Sequence, residues 1–190
     1  MPSALEHKFC APGPGLQLIT DTTGLVIEGY ASLFGAPDQG GDVVAPGAYA
    51  ACLKTMAAEG RRVRMLWQHD PAQPIGIWDE VTEDARGLRV KGRLLDSVAR
   101  GREAAALIAA GAIEGLSIGY RTIRAGRNDA GLRLLTELDL WEVSLVTFPM
   151  LPAARVAAKA TTRDADSLRD LAALFDMGRA ILTRETPPKG

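Results

Sequence analysis

Two cysteines and two histidines are all that this 190-residue chain holds of those side chains, and their scarcity excludes a good deal. Cys10 and Cys52 cannot build a disulfide framework, and with His7 and His69 at scattered spacing they form no zinc-ligand pattern. No apolar run approaches the ~20 residues that span a bilayer. Met1–Gly15 lacks the apolar centre of a secretory signal, so a cytosolic protein is expected. An excess of charge of either sign is missing too: 22 basic and 23 acidic side chains leave a net charge of −1. That balance offers no electrostatic footprint for nucleic acid or for an anionic membrane. Neither a Walker-type nor a dinucleotide glycine loop occurs, and carboxylates at glycosidase or metal spacing are not recognisable, so no cofactor and no metal are expected.

What is present reads as one β-rich domain with appendages. Residues 1–15, with Pro2, Pro12 and Pro14, predict a mobile N-terminal arm. Residues 16–152 predict a chain of strands interrupted by two helices. Strands are expected at 16–20, 26–34, 43–44, 63–69, 75–83, 87–95, 117–124 and 132–148, with turn formers between them. An Ala-rich helix over 48–59 is closed by Gly60, and a second over 97–110 is closed by Gly111, with Asp96 or Ser97 as its cap. Residues 153–190 predict a linker and an amphipathic C-terminal helix near 164–184, where Leu168, Leu171, Leu174, Phe175, Ile181 and Leu182 recur at helical spacing.

One stretch carries chemistry on its face. Gly115-Leu116-Ser117-Ile118-Gly119 spells G-x-S-x-G, which normally marks a strand-to-helix elbow with an acid and then a histidine downstream. Here a helix precedes the motif, a strand follows it, and no histidine comes after Ser117. A general esterase is weakened on that ground. A serine alcohol needs an adjacent base, and His69 is the one available, because His7 lies in the proline-flanked arm. Alternation along 63–69 puts His69 on the face of Val63, Met65 and Trp67. Alternation along 117–121 puts Ser117 with Gly119 and Arg121, leaving open space beside the hydroxyl and a cation for developing negative charge. Glu142 falls on the face of Leu138, Leu140, Val146 and Phe148, where an ionised carboxylate is costly unless paired. Orienting an imidazole is one such pairing; an ion pair with Arg64 or Arg121 is the other. Asp139, Asp70 and Asp42 are the substitutes for the third position. Cys52 sits inside a helix rather than at its start, which disfavours a thiol nucleophile.

Four blocks in order resemble the phage prohead proteases of the Hong Kong 97 type. They are Gly29-Tyr30-Ala31-Ser32-Leu33-Phe34 with Asp42-Val43-Val44 and Pro46-Gly47-Ala48; Leu66-Trp67-Gln68-His69-Asp70 with Pro74-Ile75-Gly76; Gly115 to Tyr120; and Leu140 to Pro149. The resemblance covers about 25–155. It implies a β-rich α+β fold, a herpesvirus-assemblin-like β-barrel with surrounding helices. It implies a serine protease with Ser117 as nucleophile and His69 as base. The related herpesvirus enzymes use a second histidine as third member; this chain has none there, so Glu142 stands in. Arg121 is expected as an oxyanion or substrate contact. The implied partners are the major capsid protein and a scaffold segment as substrates, with a homodimer or higher oligomer as the assembly. The implied place is an immature capsid in the bacterial cytoplasm. The short length and the loop over 38–42 look like the version found in gene transfer agents. The rival reading keeps the fold without catalysis, as a capsid-assembly or scaffolding component.

Overall fold

The structure is a computed structural model and describes residues 6–9, 17–21, 24–38 and 40–147. The chain divides into two units, Met1–Ala158 and Lys159–Gly190, and every described residue lies in the first. The expected helical tail at 153–190 lies outside the described residues.

Among the described residues are nine strands and two helices. In chain order they are β1 (Glu6–Phe9), β2 (Gln17–Asp21), β3 (Gly24–Leu33), β4 (Asp42–Val44), α1 (Ala50–Glu59), β5 (Arg64–Trp67), β6 (Asp70–Glu83), β7 (Gly87–Leu94), α2 (Ala99–Ala109), β8 (Gly115–Arg127) and β9 (Arg133–Val146). They form a single sheet in the order β1-β8-β9-β5-β6-β7-β3-β2, with β4 pairing β9 off that path. Neighbours are antiparallel except β5 and β4, which both run parallel to β9. The sheet curls, because β3 also approaches β8 and β1. None of the described helices is long and apolar enough to cross a membrane.

The core fills the inside of the curl. Ile27, Val44, Tyr49, Met65, Ile75, Trp78, Leu88, Val90, Ile108, Ile118, Leu135, Leu138, Leu140, Val143 and Leu145 form one buried cluster. Each large aliphatic side chain removed from water there contributes about 1.5–3 kcal/mol. Trp78 also donates its indole N–H to the Val143 carbonyl at 3.1 Å, tying β6 to the C-terminal part of β9.

Several local expectations change. Glu6–Phe9, inside the segment expected to be an arm, pairs with β8 in the register Phe9 to Ser117. The first helix ends where expected, because Gly60 takes φ +65° and donates its backbone N–H to the carbonyls of that last turn, a left-handed cap that glycine adopts without strain. The second helix starts at Ala99 after Val98, with no side-chain cap from Asp96 or Ser97. The sixth strand begins at Asp70 and runs through Pro71 and Pro74. Its pairing with β5 is irregular there, and proline is tolerated where a ladder is already interrupted.

Candidate active site

Three adjacent strands supply the site: β8, β9 and the end of β5. Strand β8 alternates regularly through its first half. Leu116, Ile118 and Tyr120 enter the core, which leaves Ser117, Gly119 and Arg121 on the opposite face.

Strand β9 does not alternate regularly, and the irregularity decides where Glu142 points. Tyr120 pairs with Leu140, but Gly119 pairs with Glu142, so Trp141 is an extra residue, a β-bulge. Leu138 and Leu140 are in the core before the bulge, and Val143 and Leu145 are in the core after it. The expected placement of Glu142 on the Leu138/Leu140 face is therefore corrected. One added residue turns Glu142 and Ser144 onto the face of Ser117, opposite the apolar interior. Trp141 itself is left outside, 45% exposed.

His69 also escapes the face that alternation assigned to it. Strand β5 ends at Trp67, which pairs with Asp70, so Gln68-His69 is a two-residue hairpin turn. Both residues have positive φ, +53° and +62°, and among the described residues they are the only non-glycine residues that do. Positive φ at both central positions is the pattern of a type I′ turn, usually made by Asn-Gly. The turn takes His69 out of line with Val63 and Met65, which stay in the core. Gln68 clamps the turn to the end of β9. Its backbone N–H donates to the Leu145 carbonyl at 2.9 Å, its side-chain amide donates to Thr147 Oγ1 at 2.6 Å, and its carbonyl accepts from Thr147 N at 3.3 Å.

The result is a continuous hydrogen-bonded chain. His69 Nδ1 lies 2.5 Å from Glu142 Oε1, and His69 Nε2 lies 2.6 Å from Ser117 Oγ. A carboxylate only accepts, so Nδ1 carries the proton and donates to Glu142. In the neutral imidazole Nε2 then has a lone pair, and the Ser117 hydroxyl donates to it. Ser117 is buried, the Glu142 side chain is 4% exposed and the His69 side chain 14% exposed, so the imidazole is the member that reaches solvent. Geometry of this kind can move a proton from an alcohol to an imidazole and stabilise the cation that forms.

The other residues singled out in the sequence lie elsewhere. Arg121 is on the right face of β8, but its guanidinium stacks over Trp141 with 5.3 Å to the ring centre. Asp139 accepts from the Trp141 indole at 2.9 Å, and Asp42 pairs with Arg133 at 2.9 Å. Asp70 accepts from Gln73 and from Ala72 N, and these bonds, the Gln73 one foremost, hold its carboxyl below the usual carboxylate range. Burial pushes the Cys52 thiol up, away from the thiolate that a nucleophile needs. Burial likewise raises the Tyr120 phenol, which lies on the core face of β8 opposite the serine, out of the range of proton transfer at neutral pH.

Two residues that touch the site went unnoticed in that role. Ser144 donates its hydroxyl to Glu142 Oε2, and the signal was its two-residue spacing from Glu142 on one strand. Gly119 was read as leaving open space beside the hydroxyl. That space holds the Glu142 carboxylate, since a Cβ on Gly119 would lie 2.7 Å from Glu142 Cγ and closer still to Oε1.

The chain is similar to several known proteins. The family model described as Caudovirus prohead serine protease matches residues 16–168. The prohead protease of Enterobacteria phage HK97 is 32% identical over 154 residues, which cover 77% of this chain and 65% of that protein. The chain thus spans just under two thirds of that relative's length. The structure of the bacteriophage T4 capsid assembly protease aligns with a TM-score of 0.61 over 76% of this chain and 98% of that one, at 18% identity. At that identity the likeness is one of fold.

Proposed function

The chain belongs to the Caudovirus prohead serine protease family, and from that premise we propose that it is a serine endopeptidase that cleaves capsid or scaffold protein as a phage-type immature shell matures. Supporting the catalytic assignment is the chain Ser117–His69–Glu142, closed by contacts of 2.6 and 2.5 Å. Ser117 Oγ attacks the scissile carbonyl carbon while its proton passes to His69 Nε2. Glu142 holds Nδ1–H and balances the imidazolium. Collapse of the tetrahedral intermediate breaks the C–N bond, and His69 returns the proton to the leaving amine. Water then repeats the sequence on the acyl-enzyme. Backbone amides stabilise the oxyanion, each worth as much as about 4 kcal/mol.

Arg121 is assigned to substrate contact rather than to the oxyanion. Four residues of strand at about 3.3 Å each put its Cα roughly 13 Å from that of Ser117. The finer fold reading, a barrel of the herpesvirus-assemblin type, is supported by the curled single sheet and the two helices. The proposed substrates are the cognate major capsid protein and its scaffold segment, met inside the immature capsid in the bacterial cytoplasm. The gene transfer agent version rests on the loop over 38–42.

Co-expression with the cognate major capsid protein, read by intact mass, tests the reading. A shortened capsid protein is expected. An unshortened one beside a folded, abundant partner favours the non-catalytic assembly component.

Gly119→Ala offers a second check. The new methyl group displaces the Glu142 carboxylate from His69, and misplacement of a catalytic group by about 1 Å costs on the order of 100-fold in rate. The variant should stay folded, with a lowered melting temperature because a buried carboxylate is pushed from its partner, and cleave about 100-fold more slowly. Parent-like cleavage rates would show that Glu142 need not stay where it is.

A further inference from the structure

Glu142 carries two carboxylate oxygens into a place that is 3% exposed. Oε1 meets His69 Nδ1, and Oε2 accepts the Ser144 hydroxyl. Ser144 is fully buried, pairs directly with Ser117 across the β8–β9 ladder, and shares the face on which the Trp141 bulge set Glu142. A Glu χ3 torsion is broad and nearly two-fold, so an acid anchored at one oxygen alone can rotate away from its partner. Gly119 bounds the carboxylate on the other side, where any Cβ would collide with it. Bonding to the outer oxygen and backbone against the inner one leave a single orientation.

We propose that Ser144 is a positioning residue for the reaction: its hydroxyl locks the Glu142 carboxylate in the orientation that receives His69 Nδ1–H. The inference rests on reading Ser117, His69 and Glu142 as a catalytic triad. Ser144 touches no reacting atom and acts through Glu142 alone. Without Ser144, Oε2 loses the hydroxyl that holds it, and the carboxylate can turn away from His69.

The test needs no knowledge of the natural substrate. A fluorophosphonate phosphonylates an activated serine: the Ser117 Oγ–P bond forms, the P–F bond breaks, fluoride leaves, and the hydroxyl proton passes to His69. The second-order rate of labelling, with the site located by mass, is measured for the full chain and its variants. Ser144→Ala is expected to slow labelling about 10-fold, and to shift the downfield Nδ1 proton resonance of His69 upfield. In a Glu142→Ala background Ser144→Ala should change the rate less than two-fold, because nothing is left for Ser144 to orient. If Ser144→Ala does not fold, Ser144→Cys, of similar shape and with a weak donor, carries the same comparisons. Labelling within two-fold of the parent with an unmoved resonance overturns the proposal. So does an equal loss in both backgrounds, which would mark Ser144 as merely structural. Failure of the parent to label at Ser117 overturns the triad itself, an outcome distinct from either.

Discussion

Ser117→Ala is expected to yield a folded protein that does not cleave the capsid protein. The substitution removes one oxygen from a strand whose pairing on both sides, with β1 and β9, runs through the backbone. The lost bond to His69 Nε2 leaves a nitrogen on a partly exposed ring, which water can serve. A net hydrogen bond is worth about 0.5–1.5 kcal/mol, and about 1 kcal/mol moves the midpoint of a chain this size by roughly 2–4 °C. The melting temperature should therefore stay within about 6 °C of the parent. The rate behaves differently. Without Oγ no acyl-enzyme forms, and removal of the nucleophile of a serine triad costs on the order of 10⁶-fold. Intact mass of the capsid protein after incubation with the purified variant reads the cleavage, and a thermal melt of the variant reads the fold. Capsid cleavage at the parent rate would move the nucleophile elsewhere in the chain and dissolve the triad.

The degree to which this site was legible in the sequence differs among its three members, and the reasons are geometric. The face of Ser117 was legible because β8 keeps a strict two-residue period from Gly115 to Arg121. The direction of His69 was not. Gln68-His69 contains neither glycine nor asparagine, so nothing announced the positive φ values that end β5 early and turn the imidazole outward. The face of Glu142 was misjudged because counting by twos from Leu138 ignores the extra residue at Trp141. A large aromatic flanked by Leu140 and Glu142 does not distinguish a bulge from a regular strand. The acid lies beside the histidine for a reason that alternation alone denies. The strand order was not legible at all. Parallel pairing of β5 with β9 joins residues some 78 positions apart (Arg64 with Glu142), and no local pattern encodes such a partner. The two helices and most strand positions were legible, since they depend on alanine content, turn formers and alternation over a few residues.

His69→Ala should abolish cleavage to nearly the same extent as Ser117→Ala, and the double variant should be no worse than either. Nucleophile and base act as a unit, so the second loss finds nothing left to remove. The backbone at His69 adds a signature that an ordinary strand histidine would not give. At φ +62° any residue with a Cβ is strained by roughly 1–2 kcal/mol, whereas glycine is not. His69→Gly and His69→Ala lose the same two side-chain hydrogen bonds and the same activity, but differ in that strain. The glycine variant should therefore melt above the alanine variant by about 2–4 °C or more, although glycine lowers stability in most contexts through its freedom in the unfolded chain. Both variants are compared by thermal melt and by capsid-protein mass. An alanine variant that melts higher would remove the strained turn. Equal inactivity with the glycine variant the more stable would show a backbone strained to place one imidazole between Ser117 and Glu142, with the strain offset by the Gln68 clamp on Thr147 and by the buried carboxylate.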